Sequence, residues 1–265
     1  MKCGFVGLGD QGGPIPYRLQ NAGHEVTVWA RRPEATQPYA EAGILVSENL
    51  PALARACDWI GICVFDDAGV RQVCAELMPH MRQGGMIVVH STIHPETCRL
   101  LSEHASAHGL EFVDAPVSGG NARAKDGTLT IMIGASDEAF AKSGPILEAY
   151  GSVIVRVGPP GAGQTAKLVN NTLLVAHAAI AQAAIEAGNQ LHLDPASLVN
   201  IVNASSGRSY GFELFGAIGA EGFGRITQLL TKDVGLLRSI APADAPIQRY
   251  IELIDKFLAT LPSRQ

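Results

Sequence analysis

The amino-acid sequence predicts an α/β protein, with a doubly wound, mostly parallel sheet in the N-terminal part and an all-helical domain after it. Up to about residue 157, short β-branched or apolar runs alternate with amphipathic segments, which is the pattern of strand–helix–strand units. The segment 158–161 (Gly-Pro-Pro-Gly) then breaks the alternation. Beyond it the chain is rich in alanine and shows little strand pattern. We therefore predict two domains, residues 1–160 and 161–265.

The individual elements follow from the same patterns. Each predicted strand is a short run of β-branched, aromatic or other apolar residues, and each predicted helix carries apolar residues at a helical period. The predicted strands are Lys2–Val6, Glu25–Ala30, Trp59–Val64, Met86–His90, Glu111–Asp114, Thr130–Ile133 and Val153–Val157. The predicted helices are Gly12–Asn21, Ala68–Met81, Pro95–His108 and Asp137–Tyr150, then Gln164–Gln190, Pro195–Asn203, Ile226–Ile240 and Ala243–Leu261.

The composition excludes several classes of protein. Hydrophobic residues make up 47% of the 265 residues and charged residues only 17%, which excludes a disordered or fibrous chain. A net charge of −5 does not attract a polyphosphate backbone, so we expect no nucleic-acid partner. The five cysteines have neither CxxC nor zinc-ligand spacing. We interpret them as reduced thiols of a cytoplasmic protein and expect no metal.

One apolar stretch is long enough to suggest a membrane span. Residues 168–185 carry no formal charge, but they include two asparagines, a threonine, a histidine and a glutamine. Such side chains are unfavourable in lipid. We therefore interpret the stretch as a helix buried between protein surfaces and expect no membrane contact.

A glycine-rich loop directly follows the first predicted strand. Its residues are Gly7, Leu8, Gly9, Asp10, Gln11 and Gly12. A GxGxxG segment between a strand and a helix is typical of dinucleotide binding, because its glycines permit a tight turn, a close approach to the pyrophosphate and close helix–strand packing. The N-terminus of the next helix then presents N–H groups to the phosphates. This context predicts an NAD(P)-binding domain of the Rossmann type, and the alternative is a tight turn without a ligand.

The end of the second predicted strand favours NADP over NAD. NAD-binding domains place a carboxylate roughly 20 residues beyond the glycine loop, where it binds the ribose 2′-hydroxyl. Ala30 occupies that place here, and Arg31 and Arg32 follow it. Two guanidinium groups are suited to a 2′-phosphate. We therefore predict that Arg31 and Arg32 bind NADP; the alternative is that both are solvated turn residues and that NAD serves as cofactor.

A second loop of small residues follows the fifth predicted strand. Ser118, Gly119 and Gly120 expose backbone N–H groups and one hydroxyl. Such a neutral pocket is suited to a carboxylate or another small anion. Taken alone, the segment is explained equally well as a plain turn.

Lys167 is the strongest candidate for chemistry. Glycines lead the chain into a long predicted helix, and Lys167 lies about one turn inside it. Asn171 follows four residues later, so the two residues share a helix face. Burial and the positive end of a helix both lower the pKa of a lysine and make it a better acid near neutral pH. The alternative is a lysine whose ammonium group reaches solvent at the helix end.

Further motifs occur in order along the chain. They are Ser91-Thr92, DAPVSGG at 114–120, GxGxxxKxxNN at 161–171 and Lys232-Asp233. Together with the glycine loop, they resemble the β-hydroxyacid dehydrogenase family, the group of 3-hydroxyisobutyrate dehydrogenase and tartronate semialdehyde reductase. The resemblance covers nearly the whole chain. The chain departs from the family at several points: Gln11 and Ile15-Pro16 stand where the family usually has Met, and Phe65 stands at a common proline position. The sequence also stops at Gln265, before the tail helix that relatives usually have.

The resemblance implies roles for individual residues. Lys167 would be the catalytic acid/base, with Asn171 beside it. Ser118, Gly119, Gly120 and Asn171 would hold the substrate. Val64, Phe65, Thr92 and Lys232 would contact the cofactor. The resemblance also implies a homodimer or homotetramer assembled through the helical domain.

We therefore expect an NADP-linked enzyme that interconverts a short 3-hydroxy acid and its semialdehyde or keto acid. In this interpretation Lys167 exchanges a proton with the substrate oxygen, while the small-residue loop binds the carboxylate of a small substrate. Three alternatives remain. A phosphogluconate-type dehydrogenase has Lys-x-x-His-Asn where this chain has Lys167-Leu168-Val169-Asn170-Asn171. An imine-reductase-like enzyme usually replaces the lysine, and an NADP-binding module would have no catalysis at all.

Overall fold

A computed structural model of the chain describes residues 1–243 and 246–262. It forms two compact units, Met1–Lys167 and Leu168–Gln265. The first unit contains a mostly parallel sheet with helices and the second is helical within its described residues, so the predicted fold class is confirmed. The predicted domain boundary between residues 160 and 161 stays a prediction.

The first unit is built on one nine-stranded sheet. Its strands are β1 (Lys2–Val6), β2 (Glu25–Trp29), β3 (Leu45–Val46), β4 (Trp59–Ile62), β5 (Met86–Val89), β6 (Glu111–Asp114), β7 (Val117–Ser118), β8 (Leu129–Gly134) and β9 (Gly151–Gly158). The spatial order is β3-β2-β1-β4-β5-β6-β8-β7, and β9 pairs with β8. The first six strands are parallel, β6 and β7 pair antiparallel with β8, and β9 is parallel to β8.

Helices cover the sheet because alternate side chains of its central strands point to opposite faces. One buried cluster contains Phe5, Trp59 and Val88. A second contains Ile60 and Ile87. The helices of this unit are α1 (Ile15–Asn21), α2 (Gln37–Glu41), α3 (Leu50–Ala56), α4 (Asp67–Leu77), α5 (Pro95–Ala107), α6 (Gly120–Asp126) and α7 (Asp137–Leu147).

The strand order reverses at β1, which has β2 on one side and β4 on the other. In open parallel sheets a reversal of this kind leaves a crevice outside the carboxyl ends of the two strands, and ligands bind there. Because β1, β4 and β5 are parallel, the loops that follow them all start at the same edge of the sheet.

The second unit is formed by long helices. The helix α8 (Ala162–Gln190) begins in the first unit and continues into the second, and it is followed by α9 (Pro195–Asn203), α10 (Tyr210–Ile240) and α11 (Ile247–Thr260). Three phenylalanines, Phe215, Phe223 and Phe257, form its aromatic core with ring centroids 5.6–6.0 Å apart. Small residues of α8, such as Ala178 and Ala181, are buried in the same core, where they allow close helix packing.

Several predicted element boundaries are wrong. The first helix begins at Ile15 rather than Gly12, because residues 10–14 form turns. The prediction of a helix over 226–240 misses the first half of α10, whose glycines lower its intrinsic helix propensity. Gly219, with φ 62° and ψ −173°, kinks that helix. The last helix begins at Ile247 rather than Ala243, and residues 244 and 245 lie outside the described part of the chain.

In the part of the chain that the structure describes, α8 alone is long and apolar enough to pass a length-and-composition test for a membrane span. The core helix of a water-soluble protein passes the same test, so this finding is weak evidence. The second unit also exposes apolar side chains, including Leu191, Leu193 and Ile201. The expected absence of membrane contact and the expected homo-oligomer both stay predictions.

The thiols are deeply placed. Cys3, Cys57, Cys74 and Cys98 are buried, and Cys63 is partly buried. Burial raises the pKa of Cys3 and Cys74 to about 12 and that of Cys57 to about 11, and it raises the pKa of Cys98 well above its ordinary value. These four thiols therefore stay protonated at neutral pH.

His90, the residue after β5, is buried and makes two polar contacts. Its Nδ1 lies 2.8 Å from the carbonyl oxygen of Ala115, and its Nε2 lies 3.1 Å from the hydroxyl of Tyr150. A neutral ring satisfies both contacts when Nδ1–H donates to the carbonyl and Nε2 accepts from the hydroxyl. Burial lowers the pKa of His90 to about 4.

We predict that His90 makes the protein less stable in acid. The ring binds a proton near pH 6.5 when unfolded but only near pH 4 when folded. Its contribution is therefore present above about pH 6.5 and is lost as the pH falls toward 4. Urea unfolding should show a loss on the order of 2 kcal/mol between pH 7 and 5 from this residue. His90→Gln should be less stable at pH 7 but lose less on acidification; an identical pH dependence in both proteins would contradict the assignment.

Candidate functional site

The glycine loop after β1 contains two glycines that packing requires. Gly7 has φ 98°, and a Cβ there would overlap the carbonyl oxygen of Cys63 at the end of β4. A Cβ on Gly12 would overlap the carbonyl oxygen of Gly7 and lie 2.8 Å from the Cβ of Cys63. These two glycines therefore let the loop pack tightly against the neighbouring strand.

Gly9 differs from both, because packing does not explain it. A Cβ built on Gly9 has no heavy atom within 4 Å. The missing side chain thus leaves open space beside the loop. In the dinucleotide fingerprint, the second glycine is the one that lets the backbone approach the pyrophosphate. The residues present fit a dinucleotide at this point.

The helix N-terminus predicted beside the phosphates is placed differently. Because α1 begins at Ile15, the segment that follows the glycine loop is a turn, closed by hydrogen bonds from Gly13 N to Gly9 O (2.7 Å) and from Ile15 N to Gly12 O (3.1 Å). Asp10 and Gln11 lie at the start of this turn. The prediction that the first helix itself opens at the glycine loop is wrong.

The loops after β4 and β5 are joined to each other. The backbone N–H of Val64 donates to the hydroxyl of Ser91 at 2.8 Å. Phe65 is 55% exposed, and Thr92 is partly buried in the next loop. The structure thus brings together, at one edge of the sheet, the predicted cofactor residues of the β1, β4 and β5 loops.

Arg31 and Arg32 follow β2 and are both exposed. Among the described residues, neither takes part in the ion pairs of the structure. No carboxylate stands at Ala30, where an NAD-binding domain would have one. The arrangement leaves both guanidinium groups accessible to an anion.

The segment that carries Ser118, Gly119 and Gly120 joins the short strand β7 to α6. Ser118 is partly buried, and both glycines are exposed. A Cβ on Gly119 would lie 2.6 Å from the Cδ of Arg123, so this arginine covers one side of the loop. A Cβ on Gly120 would meet no heavy atom within 4 Å, which leaves space for a small ligand on the other side.

Asp114 anchors the start of α8. Its buried carboxylate accepts hydrogen bonds from Gly161 N (2.7 Å) and Gln164 N (2.9 Å). Burial raises the pKa of Asp114 to about 7, although backbone N–H groups favour the ionised form. We expected the positive end of α8 to lower the pKa of Lys167. The backbone N–H groups at that end instead bind the carboxyl group of Asp114.

Gly161 and Gly163, at the start of α8, are also required by close packing. A Cβ on Gly161 would lie 2.8 Å from the carbonyl oxygen of Pro95. A Cβ on Gly163 would lie 2.5 Å from the carbonyl oxygen of Met132 in β8 and 2.7 Å from the carboxylate of Asp114. These glycines bring the first turn of α8 against the sheet.

Lys167 follows on α8 and is only 7% exposed. It belongs to the first unit, together with the glycine loop and the Ser118–Gly120 segment. A buried ammonium group is costly unless it is paired or has a function. The alternative of a lysine that reaches solvent is therefore not supported by its burial.

Asn171 and Lys232 lie in the second unit. The side-chain amide of Asn171 donates to the carboxylate of Asp233 at 2.6 Å, and the ammonium group of Lys232 lies 3.5 Å from the other oxygen of that carboxylate. Asp233 is 3% exposed. The sequence motif contained Asp233 but gave it no role; the structure places it as the group that orients Asn171.

A cleft of about 650 Å³ lies beside α1 in the first unit. The sequence predicted its glycine-loop residues as cofactor contacts but not its other walls. The glycine loop borders both this cleft and the crevice beside β1, where the strand order reverses. Its lining residues are Leu8, Gly9, Asp10, Gly13, Pro14, Tyr17, Arg18, Asn21, Tyr39, Asn121 and Lys125.

Comparisons with known proteins agree with this geometry. Residues 2–158 match the family model described as the NAD binding domain of 6-phosphogluconate dehydrogenase, and residues 161–248 match the model described as NAD-binding of NADP-dependent 3-hydroxyisobutyrate dehydrogenase. The two models together span most of the chain.

Individual proteins similar to this chain carry the names of oxidoreductases. An uncharacterized oxidoreductase of Mycobacterium tuberculosis is 40% identical over 186 residues, which make up 69% of this chain. The chain spans 63% of that relative, which is less than two thirds of its length. The 3-hydroxyisobutyrate dehydrogenase of Pseudomonas aeruginosa is 33% identical over 255 residues, 90% of this chain and 85% of the relative. The solved structure of Mycobacterium tuberculosis 3-hydroxyisobutyrate dehydrogenase with L-serine matches with a TM-score of 0.86 at 26% identity, covering 98% of this chain and 94% of that one.

We predict that Gly9→Ala weakens cofactor binding without loss of stability. The added methyl group enters open space, where it would occupy the place of a phosphate. The dissociation constant for NADPH, measured by fluorescence titration, should rise about tenfold or more, equivalent to about 1.4 kcal/mol. Thermal unfolding should match the wild-type protein.

Gly7→Ala is the matched comparison. Its methyl group would overlap the Cys63 carbonyl oxygen, so this variant should unfold at a lower temperature. Wild-type NADPH affinity in a folded Gly9→Ala protein would contradict the placement of the cofactor.

Proposed function

The chain belongs to the β-hydroxyacid dehydrogenase family, and on this premise we propose that it interconverts a short 3-hydroxy acid and the corresponding semialdehyde or keto acid, with NADP or NAD as cofactor. The observation that carries the proposal is the burial of Lys167 on the first turns of α8, in the same unit as the glycine loop. A buried cation in a domain that binds a dinucleotide is suited to proton transfer rather than to solubility.

The chain's own residues supply position and proton transfer in this proposal. The glycine loop and the loops after β4 and β5 would hold the cofactor, which supplies or accepts the hydride when bound. The Lys167 ammonium would donate a hydrogen bond to the carbonyl oxygen of the substrate and release a proton to that oxygen as the alkoxide forms. In the oxidation direction, the neutral amine would take the proton of the hydroxyl group.

Asn171 supports this role from one turn further along α8. Because its amide already donates to Asp233 at 2.6 Å, its orientation is fixed before a substrate binds. A fixed amide places its oxygen without a loss of side-chain entropy on binding.

The substrate class follows from the Ser118–Gly120 segment. Its exposed glycines and the Ser118 hydroxyl offer hydrogen-bond donors without a bulky side chain, and Arg123 covers one side of the loop. This chemistry fits a small carboxylate. We therefore propose a short, carboxylate-bearing hydroxy acid as the substrate.

We predict that Lys167→Ala lowers kcat by roughly 10²–10⁴ in the oxidation of short 3-hydroxy acids, the usual contribution of a positioned general acid or base. NADPH binding should persist, because Lys167 would act on the substrate oxygen. Lys142→Ala, which removes an exposed lysine of α7, is the control and should keep wild-type turnover. Near-normal turnover of Lys167→Ala would contradict the role of this lysine.

The preference for NADP is a separate proposal, supported by the exposed Arg31 and Arg32 and by Ala30 in place of an acid. We predict that the double variant Arg31→Ala/Arg32→Ala weakens NADPH binding about tenfold, a change of about 1.4 kcal/mol, and leaves NADH binding unchanged. Arg55→Ala, an exposed arginine of α3, is the control. Equal dissociation constants of the wild-type protein for NADPH and NADH would remove the argument.

A further inference from the structure

Gln164 is a fully buried polar residue with both ends of its side chain in use. Its exposed fraction is 0%. The side-chain Nε2 donates to the carbonyl oxygen of Ser91 at 2.9 Å, and Oε1 accepts from the N–H of Ile93 at 3.0 Å. These two backbone groups flank Thr92. The amide of Gln164 therefore holds the loop that carries a predicted cofactor residue.

The backbone of Gln164 is held as well. Its N–H donates to the Asp114 carboxylate at 2.9 Å, and the other carboxylate oxygen accepts from Gly161 N at 2.7 Å. One residue thus joins the loop after β5 through its side chain and the end of β6 through its backbone. Few degrees of freedom remain to the first turn of α8.

Lys167 lies three residues after Gln164, less than one helical turn further along α8. The helix is continuous between them, so its first turn determines where the backbone of Lys167 lies. The bonds of Gln164 therefore set the distance between the Thr92 loop and the backbone that carries the lysine.

We infer that Gln164 is a positioning residue of the proposed reaction, acting through Lys167 by fixing the first turn of α8 to the Thr92 loop. The inference rests on the proposed function. Misplacement of a reacting group by about 1 Å lowers turnover by about 10²-fold, so loss of these two hydrogen bonds should affect kcat more than binding.

The main test uses Gln164→Met, which has a similar length and no hydrogen-bonding amide. We expect kcat to fall about 10- to 100-fold, with the KM of the hydroxy acid little changed. The dissociation constant for NADPH should rise by a smaller factor than kcat falls, because the lost bonds also hold the loop of Thr92. Gln164→Asn retains the amide but is one methylene too short to reach both backbone groups, and it should show the same loss in kcat. Ser143→Ala removes one hydrogen bond of a fully buried side chain in α7 and should lower the unfolding temperature without lowering kcat.

A double-mutant cycle shows whether Gln164 acts through the lysine. In a Lys167→Ala background, Gln164→Met should reduce the residual kcat by no more than about twofold, since residues that act as a unit are not additive. A full 10- to 100-fold further loss in that background would overturn the inference, as would wild-type kcat in the folded single variants. Failure of both variants to fold would assign Gln164 to stability alone, which also overturns it.

A second readout separates this inference from the proposed function. Hydrogen–deuterium exchange of residues 161–170 in the 265-residue chain should be faster in Gln164→Met than in the wild type and unchanged in Ser143→Ala. If the wild-type protein turns over no 3-hydroxy acid, the proposed function fails, and the exchange result still decides whether Gln164 fixes the helix start. Unchanged exchange in Gln164→Met would overturn the inference by itself.

Discussion

The first unit depends on one buried carboxyl group, that of Asp114 at the end of β6. It binds the first N–H groups of α8, which would otherwise be buried without partners at considerable cost. Gly163 and Gly134 have no side chains where a Cβ would meet this carboxyl group. The start of α8 is therefore set by one side chain of the sheet, and the backbone of Lys167, which lies on the first turns of this helix, is placed by it.

The glycines of the two motifs have different physical reasons. Gly7, Gly12 and Gly163 are required because a Cβ would overlap backbone atoms of neighbouring elements. Gly9 faces open space instead. The glycine loop therefore combines glycines that its packing requires with one that leaves room for a ligand. A sequence motif cannot distinguish the two roles, because both are filled by glycine.

Local patterns predicted much of the fold. The strands Lys2–Val6 and Glu111–Asp114 and the helix Pro195–Asn203 occur with the predicted bounds, since each has a clear apolar period or a proline at its first position. The two-residue strand β3 and the glycine-rich start of α10 were missed. The strand β3 is too short to show a period, and the glycines at the start of α10 lower its helix propensity although apolar residues recur there.

The residues of the candidate site were found by motif, but their supporting partners were not. Asp114 reaches Gly161 across 47 positions, Gln164 reaches Ser91 across 73, and Asn171 reaches Asp233 across 62. Such pairings arise from the folded chain, and no local periodicity encodes them. The sequence can therefore suggest Lys167 and Asn171, whereas the groups that orient them become visible only in three dimensions.

The burial of four thiols has a chemical consequence for the proposed reaction, which would form an aldehyde or a keto acid. A thiolate adds to an aldehyde carbonyl and forms a hemithioacetal, which would consume product and block the protein. Burial keeps Cys3, Cys57, Cys74 and Cys98 protonated far above neutral pH, so these four sulfur atoms are poor nucleophiles. These four buried thiols are in this way unreactive toward the electrophile that the enzyme is proposed to make.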